Sequence, residues 1–148
     1  MQYFSKKKLV LPEGYFINSS QIPLAKEVNK LLASCGCDTF PIKPLYEAIQ
    51  KSNFFYSIQN EWNNKLYGFV RVTSDKGLNA NLWNLSALPG NNQQLYYSIL
   101  LQVTLDKITR EMPGCSISVQ APVSSFKALE ESGFILDPNG IRVMGYKL

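Results

Sequence analysis

Apolar and polar positions change their period several times along the chain, and each change marks the border of an element. Tyr15-Phe16-Ile17 predicts a short strand, and Ser20 behind it is a plausible helix N-cap. Leu24, Val28, Leu31 and Leu32 then recur at helical spacing up to a stop near Gly36. Pro44 opens a second helix with Leu45, Ala48 and Ile49 on one side. Phe54 to Ile58 and Leu66 to Val72 predict two strands joined by the polar turn Asn60 to Asn64, hence an antiparallel hairpin. The turn Ser74-Asp75-Lys76-Gly77 leads to a further strand from Ala80 to Leu88, expected to pair with the one before it and ended by Pro89-Gly90. From Gln93 to Met112, the positions Leu101, Leu105, Ile108 and Met112 keep the spacing of a long amphipathic helix, closed by Pro113-Gly114. Cys115 to Val119 reads as a short strand and Ser124 to Glu131 as a short helix. Ile135 to Leu148 holds two short extended pieces around Asp137-Pro138-Asn139-Gly140. The predicted order is β-α-α-β-β-β-α-β-α-β, with room for one more strand.

The 148 residues are 45% hydrophobic and 18% charged, which predicts a single domain over residues 1–148 whose core needs neither disulfides nor metals. No apolar run approaches the roughly 18–20 residues of a membrane span. The opening Met1-Gln2-Tyr3-Phe4-Ser5-Lys6-Lys7-Lys8 lacks the long apolar stretch of a secretory signal, so a soluble, intracellular protein is expected. Histidine is absent. That removes Ser-His-Asp and Cys-His catalysis and the commonest nitrogen ligand of zinc, copper or iron, and no metal site is predicted. Cys35, Cys37 and Cys115 are an odd set expected to stay reduced, and Cys35-Gly36-Cys37 cannot complete a four-ligand zinc site by itself. The net charge of +4 arises from 15 basic and 11 acidic residues. Lys6-Lys7-Lys8 is the one basic run and no further cluster interleaves with aromatics, so no nucleic-acid partner is predicted.

The element order, together with Tyr67-Gly68-Phe69-Val70-Arg71, a strand ending at Pro89, a long helix and Glu131-Ser132-Gly133-Phe134, resembles the GNAT superfamily of acetyl-CoA-dependent N-acetyltransferases over nearly the whole chain. It is most similar to the cyanobacterial and plastid type, in which an Arg-x-x-Ser-Asp turn and a closing Gly-Phe-x-x-Asp-Pro-x-Gly-Ile-Arg/Lys-x-Met segment recur. Here these read Arg71-Val72-Thr73-Ser74-Asp75 and Gly133-Phe134-Ile135-Leu136-Asp137-Pro138-Asn139-Gly140-Ile141-Arg142-Val143-Met144. The resemblance implies an α+β fold of GNAT type, a mixed, splayed central sheet flanked by helices, working in the cytoplasm or the plastid stroma. It implies acetyl-CoA or CoA as ligand, its pyrophosphate held by backbone N–H groups of a Gln/Arg-x-x-Gly-x-Gly/Ala loop at a helix N-terminus. It also implies a carboxylate near the fourth strand as base and a tyrosine before the Gly-Phe pair as acid.

The loop so implied falls on Leu88, Asn92, Gln93, Gln94, Leu95, Tyr96, Tyr97 and Ser98, which are the candidate cofactor-binding residues. Counted from Pro89, Asn92 takes the Gln/Arg position and Leu95 and Tyr97 the two glycines. Shifted by one, Gln93 leads, Tyr96 replaces the first glycine and Ser98 the last. Either register sets bulky side chains where a diphosphate would meet the backbone. Leu129 stands at the implied tyrosine and Asn84, after Trp83, at the implied carboxylate, and neither side chain exchanges a proton. Glu61 and Asp75 remain as alternative bases and Tyr96, Tyr97 and Tyr146 as alternative acids, with nothing in their spacing to bring them together.

Trp83, Tyr96 and Tyr97, with Asn91, Asn92, Gln93 and Gln94 around them, have the residue types of a protein-binding surface; the plainer reading is a packed helix start with solvated amides. Two function classes follow. The joint loss of base, acid and phosphate loop favours a GNAT relative without catalysis, kept as a protein-interaction or assembly subunit. The alternative is an active acetyl-CoA-dependent N-acetyltransferase with an altered site, acting on a protein or small-molecule amine, since proximity of amine and thioester supplies much of the rate by itself.

Overall fold

In the computed structural model, which describes residues 8–136, 140 and 144–146, four strands form an antiparallel meander in sequence order. They are β1 (Tyr15–Asn18), β2 (Phe54–Asn60), β3 (Gly68–Ser74) and β4 (Asn79–Ala87). A fifth strand, β5 (Ser116–Val119), joins β4 in parallel, and such a join requires a long crossover. Helix α3 (Gln93–Glu111) supplies it. The remaining elements are α1 (Ala25–Ser34), α2 (Ile42–Lys51), a 3-10 turn over Val123–Ser125 and α4 (Phe126–Glu131). The mixed α+β architecture and the order of elements agree with the sequence reading up to α4. The expected closing strands do not form at the described positions 135, 136, 140 and 144–146, while Asp137-Pro138-Asn139 and Ile141-Arg142-Val143 lie outside the described residues, as do Lys6 and Lys7.

Alternation along the strands decides which helices cover which face. Val70 and Val72 of β3 and Leu82 and Leu85 of β4 pack with Tyr97, Leu100, Leu101 and Ile108 of α3 and with Ala128 and Leu129 of α4. Phe69, one position away from Val70, turns to the other face and packs with Val28, Leu31 and Leu32 of α1 and Leu45 and Ile49 of α2. Gly68 lets α3 approach the sheet, because a Cβ there would lie 2.9 Å from Cδ1 of Leu100 and 3.0 Å from Cδ1 of Ile58.

Two helix starts differ from the reading of the sequence. Ser20 does not cap α1: its N–H donates to Asn18 Oδ1 in the turn after β1. Pro23 biases the residue before it away from helical geometry, so the helix begins at Ala25, with the Leu24 carbonyl accepting from the N–H groups of Glu27 and Val28. Helix α2 begins at Ile42, two residues ahead of Pro44, which sits in the first turn where its missing N–H costs no helical bond.

Two irregularities open the sheet. Between the pairs Phe69↔Ser86 and Arg71↔Trp83, β4 carries one residue more than β3, and Asn84 takes up this bulge with a left-handed φ of 56°. Beyond it β4 has no strand neighbour on its outer side among the described residues, because β5 pairs only with Asn79 to Leu82. The sheet is therefore splayed between β4 and β5.

Leu100 is fully buried against Gly68, whereas Leu78 is 76% exposed in the β3–β4 turn. Urea unfolding of Leu100→Ala is expected to show a loss of about 2–5 kcal/mol, and Leu78→Ala a change within about 0.5 kcal/mol.

Candidate functional site

The splay opens into a cavity of about 720 Å³. The end of α1 and the segment after it form one wall, with Leu32, Cys35, Cys37, Asp38 and Phe40. Arg71 of β3 and Trp83, Asn84 and Leu85 of β4 form the floor, and Gln120 to Ser124 close the side where β5 diverges. Its position follows from the local sequence: the bulge at Asn84 turns β4 away, and Pro122 begins the 3-10 turn in place of a longer β5.

Arg71 dominates the floor. Its Nε donates to Asn84 Oδ1 at 2.7 Å, and Nη1 reaches Ser52 Oγ at 3.5 Å. The guanidinium carbon lies 5.8 Å from the centre of the Trp83 ring, whose Nε1 donates to Thr73 Oγ1 at 2.7 Å. Burial pulls the Arg71 pKa down from its ordinary value. The ion pairs among the described residues are Lys30 with Glu27 and Lys107 with Glu111; Arg71 has no carboxylate partner there.

A second polar group joins α3 to the cavity wall. The hydroxyl of Tyr97 lies 2.8 Å from Ser124 Oγ and donates to Cys35 Sγ at 3.7 Å, while Cys35 Sγ donates to the Ala87 carbonyl at 3.1 Å. Burial holds the Tyr97 phenol well above its ordinary pKa, so it carries its proton at neutral pH. Gln93 Nε2 donates to the Ala87 carbonyl at 3.0 Å and Gln94 Nε2 to the Ser124 carbonyl at 2.9 Å, linking the start of α3 to both sides of the splay.

The residues singled out from the sequence separate into three places. Asn92 and Gln94 are exposed on the first turn of α3, with Gln93, Leu95 and Ser98 half-buried beside them. The N–H groups of Asn91, Asn92, Gln94 and Leu95 make no hydrogen bond within the described chain, as expected of a helix start. The Leu88 N–H is occupied by the Tyr67 carbonyl. Tyr97 is fully buried and Tyr96 nearly so, the latter stacked against Tyr15 and set edge-on to Tyr67. The expectation that Tyr96 and Tyr97 anchor a protein partner at the surface is thus corrected: α3 is enclosed by the sheet and by α4 at its start. For the same reason the bulk of Tyr97 does not stand in front of the free amides.

Asn84 lies on the cavity floor, whereas Leu129 packs into the core between α3 and α4 and does not line the cavity. Glu61 and Asp75 sit in turns away from the cavity, and Tyr146 is 90% exposed. Asp75 accepts the N–H groups of Gly77, Leu78 and Asn79, which holds its carboxyl below the ordinary value. The sequence reading passed over Arg71, Asp38, Cys35 and Ser124 as cavity residues; for Arg71 the signal was a cation at an inward-alternating strand position between Phe69 and Thr73. The cysteines are free. Among the described residues, no three Cys, Asp or Glu side chains converge as metal ligands, and no helix is long and apolar enough to cross a membrane.

No protein-family model matches the chain. It is 30% identical over 139 residues to the uncharacterized N-acetyltransferase ycf52 of Porphyra purpurea, covering 93% of this chain and 79% of that protein. Among solved structures it resembles a Staphylococcus aureus protein described as a probable acetyltransferase, with a TM-score of 0.77 at 17% identity over 90% of this chain and 100% of the other. A GNAT-family acetyltransferase of Streptococcus pneumoniae superposes with a TM-score of 0.63 at 13% identity, over 90% of this chain and 97% of the other.

Asp75 serves as a brace of its turn, and its depressed pKa fixes the sign of a pH effect. The stability it contributes is present above the ordinary carboxyl pKa and is lost as pH falls through the lower, folded value. The difference in unfolding midpoint between wild type and Asp75→Asn is therefore expected to be larger at pH 6 and to narrow as the pH falls below the ordinary carboxyl range.

Proposed function

Because the chain belongs to the GNAT superfamily, as a relative of the ycf52 N-acetyltransferases, we propose that it binds acetyl-CoA at the splay and transfers the acetyl group to an amine, with proton-carrying groups of its own. The observation that carries this reading is the cavity itself, open between β4 and β5, with the start of α3 and its free amides joined to the Ser124 wall through the Gln94 side chain. Those amides and the helix dipole suit the pyrophosphate, and the side chains at Leu95 and Tyr97 leave the backbone donors in place. The plastid stroma is the compartment that the plastid-type motifs favour.

In the transfer, the amine nitrogen attacks the thioester carbon, the C–N bond forms, the C–S bond breaks and CoA leaves as a thiolate. Asn84 cannot take the amine proton, and among the described residues the one carboxylate on the cavity wall is Asp38, which is exposed. The amine proton passes to solvent or to Asp38. The departing thiolate takes its proton through the hydroxyl of Ser124, which lines the wall and is linked at 2.8 Å to the buried Tyr97 hydroxyl behind it, a relay in place of the proton donor missing at Leu129. Proximity in the cavity provides the remainder of the rate. A second reading, a non-catalytic interaction or assembly subunit, draws on the absence of a proton carrier at Asn84 and Leu129.

Two measurements separate these readings. Excess acetyl-CoA is expected to raise the thermal midpoint of the wild-type protein, and Gln94→Glu, which sets a negative charge at the start of α3, to weaken acetyl-CoA about tenfold. Tyr97→Phe is expected to lower kcat for an amine panel about 100-fold, with acetyl-CoA affinity unchanged. No thermal shift with acetyl-CoA or CoA, and no amide product, would establish the non-catalytic reading instead.

A further inference from the structure

We infer that the acceptor amine also carries an oxyanion, a carboxylate or a phosphate, which is held by the guanidinium of Arg71. This rests on the cavity being the acceptor site of the transfer proposed above. Arg71 is half-buried on the cavity floor, and desolvating a cation without a counter-charge is costly. The ion pairs among the described residues lie elsewhere, and no described Asp or Glu comes within ion-pair distance of Arg71. A charge kept in such a place calls for an anion from the occupant.

The geometry leaves the binding edge of the guanidinium free. Asn84 Oδ1 fixes Nε at 2.7 Å, and the Trp83 ring lies 5.8 Å from the guanidinium carbon. Only one weak contact, Nη1 to Ser52 Oγ at 3.5 Å, uses the terminal nitrogens. The remaining Nη donors have no partner among the described residues, and they form the planar fork that carboxylate and phosphate oxygens accept from. Asn84 thus has a positioning role: the bulge that opens the sheet also presents the amide oxygen that orients Arg71.

The cofactor is a poorer source of this anion. Arg71 faces the α1 and α2 layer, as its contact with Ser52 at the end of α2 shows, whereas α3 and its free amides belong to the opposite layer. The pyrophosphate and Arg71 are therefore served from different sides of the sheet. Asp38 at the rim of the same cavity is placed to meet the amine end of a molecule whose anionic end lies at Arg71.

The test has a binding arm and a turnover arm. In a Trp62→Phe protein, Trp83 is the remaining tryptophan and touches Arg71. Titration with succinate or inorganic phosphate is expected to change its fluorescence saturably, which also tells carboxylate from phosphate. Arg71→Gln should weaken the better of the two about tenfold or more, and Arg71→Lys less, with a cooperative thermal transition retained in both variants. For turnover, butylamine is compared with 4-aminobutyrate and ethylamine with 2-aminoethyl phosphate. The anionic member is expected to exceed its neutral mate in kcat/KM by about tenfold or more in wild type and to match it in Arg71→Gln. Equal anion affinity in wild type and Arg71→Gln, or acetylation of neutral amines as fast as of their anionic mates, overturns the inference while leaving acetyl transfer standing. Arg71-dependent anion binding without amide product would instead support the anion site and sink the transfer reading.

Discussion

The short parallel pairing of β4 with β5 is the constraint on which the rest of this structure depends. Four residues of β4 have a partner in β5, and the next five have none. An unpaired strand edge inside a fold needs a substitute for its ladder, and here it is met on one side by the cavity and on the other by side chains from α1 and α3. Cys35 and Gln93 both give hydrogen bonds to the Ala87 carbonyl, satisfying an acceptor that a longer β5 would have taken. The bulge at Asn84 works with this truncation, since a residue in the left-handed region turns the strand just where its partner ends. Asparagine is among the few residues with a side chain that enter this region at small cost.

A cluster of tyrosines fills part of the opposite layer. Tyr15, Tyr67 and Tyr96 meet at ring-centre distances of 4.9 and 6.1 Å, and Tyr67 also accepts a hydrogen bond from Asn60. Their apolar bodies seal the α3 face near the β2–β3 turn while a hydroxyl remains satisfied, which is the usual reason for tyrosine in place of phenylalanine in a partly buried position. Tyr97 differs in sending its hydroxyl across to Ser124. One helix turn therefore contributes a core ring at Tyr96, a polar contact to the cavity wall at Tyr97, and open backbone donors at its tip.

Much of this was legible from the residues in order. The long spacing of Leu101, Ile108 and Met112, the alternation through Phe69 to Thr73 and the turn chemistry at Ser74 to Gly77 place α3 and the β3–β4 hairpin without coordinates. The position of Ser20 misled because a capping residue type competes with a neighbouring proline, and Pro23 prevailed. For Tyr96 and Tyr97 the sequence leaves a binding surface and a packed helix start both open, because residue type does not report enclosure; the helix start is buried on several sides, from Tyr96 through Leu101, so periodicity carries no signal there. The lack of a carboxylate partner for Arg71 among the described residues is illegible in the sequence for a different reason. Missing a counter-ion is a property of space around a side chain, and no spacing rule encodes it.

The crossover has a kinetic corollary. Strands β1 to β4 are ordered as they occur in the chain, and β2, β3 and β4 follow one another through short turns, so their ladders close small loops. The β4–β5 ladder joins Asn79 to Ser116 across all of α3 and closes a far longer one. Loop closure of that length is entropically slower, which sets β5 and α4 to dock after β2, β3 and β4 have paired. Until that event the outer edge of β4 is bare, and an uncovered edge is a template for strand addition by another chain. The cavity comes into being only with this late docking, so the stretch of chain that completes the pocket is also the one that covers the exposed edge of β4.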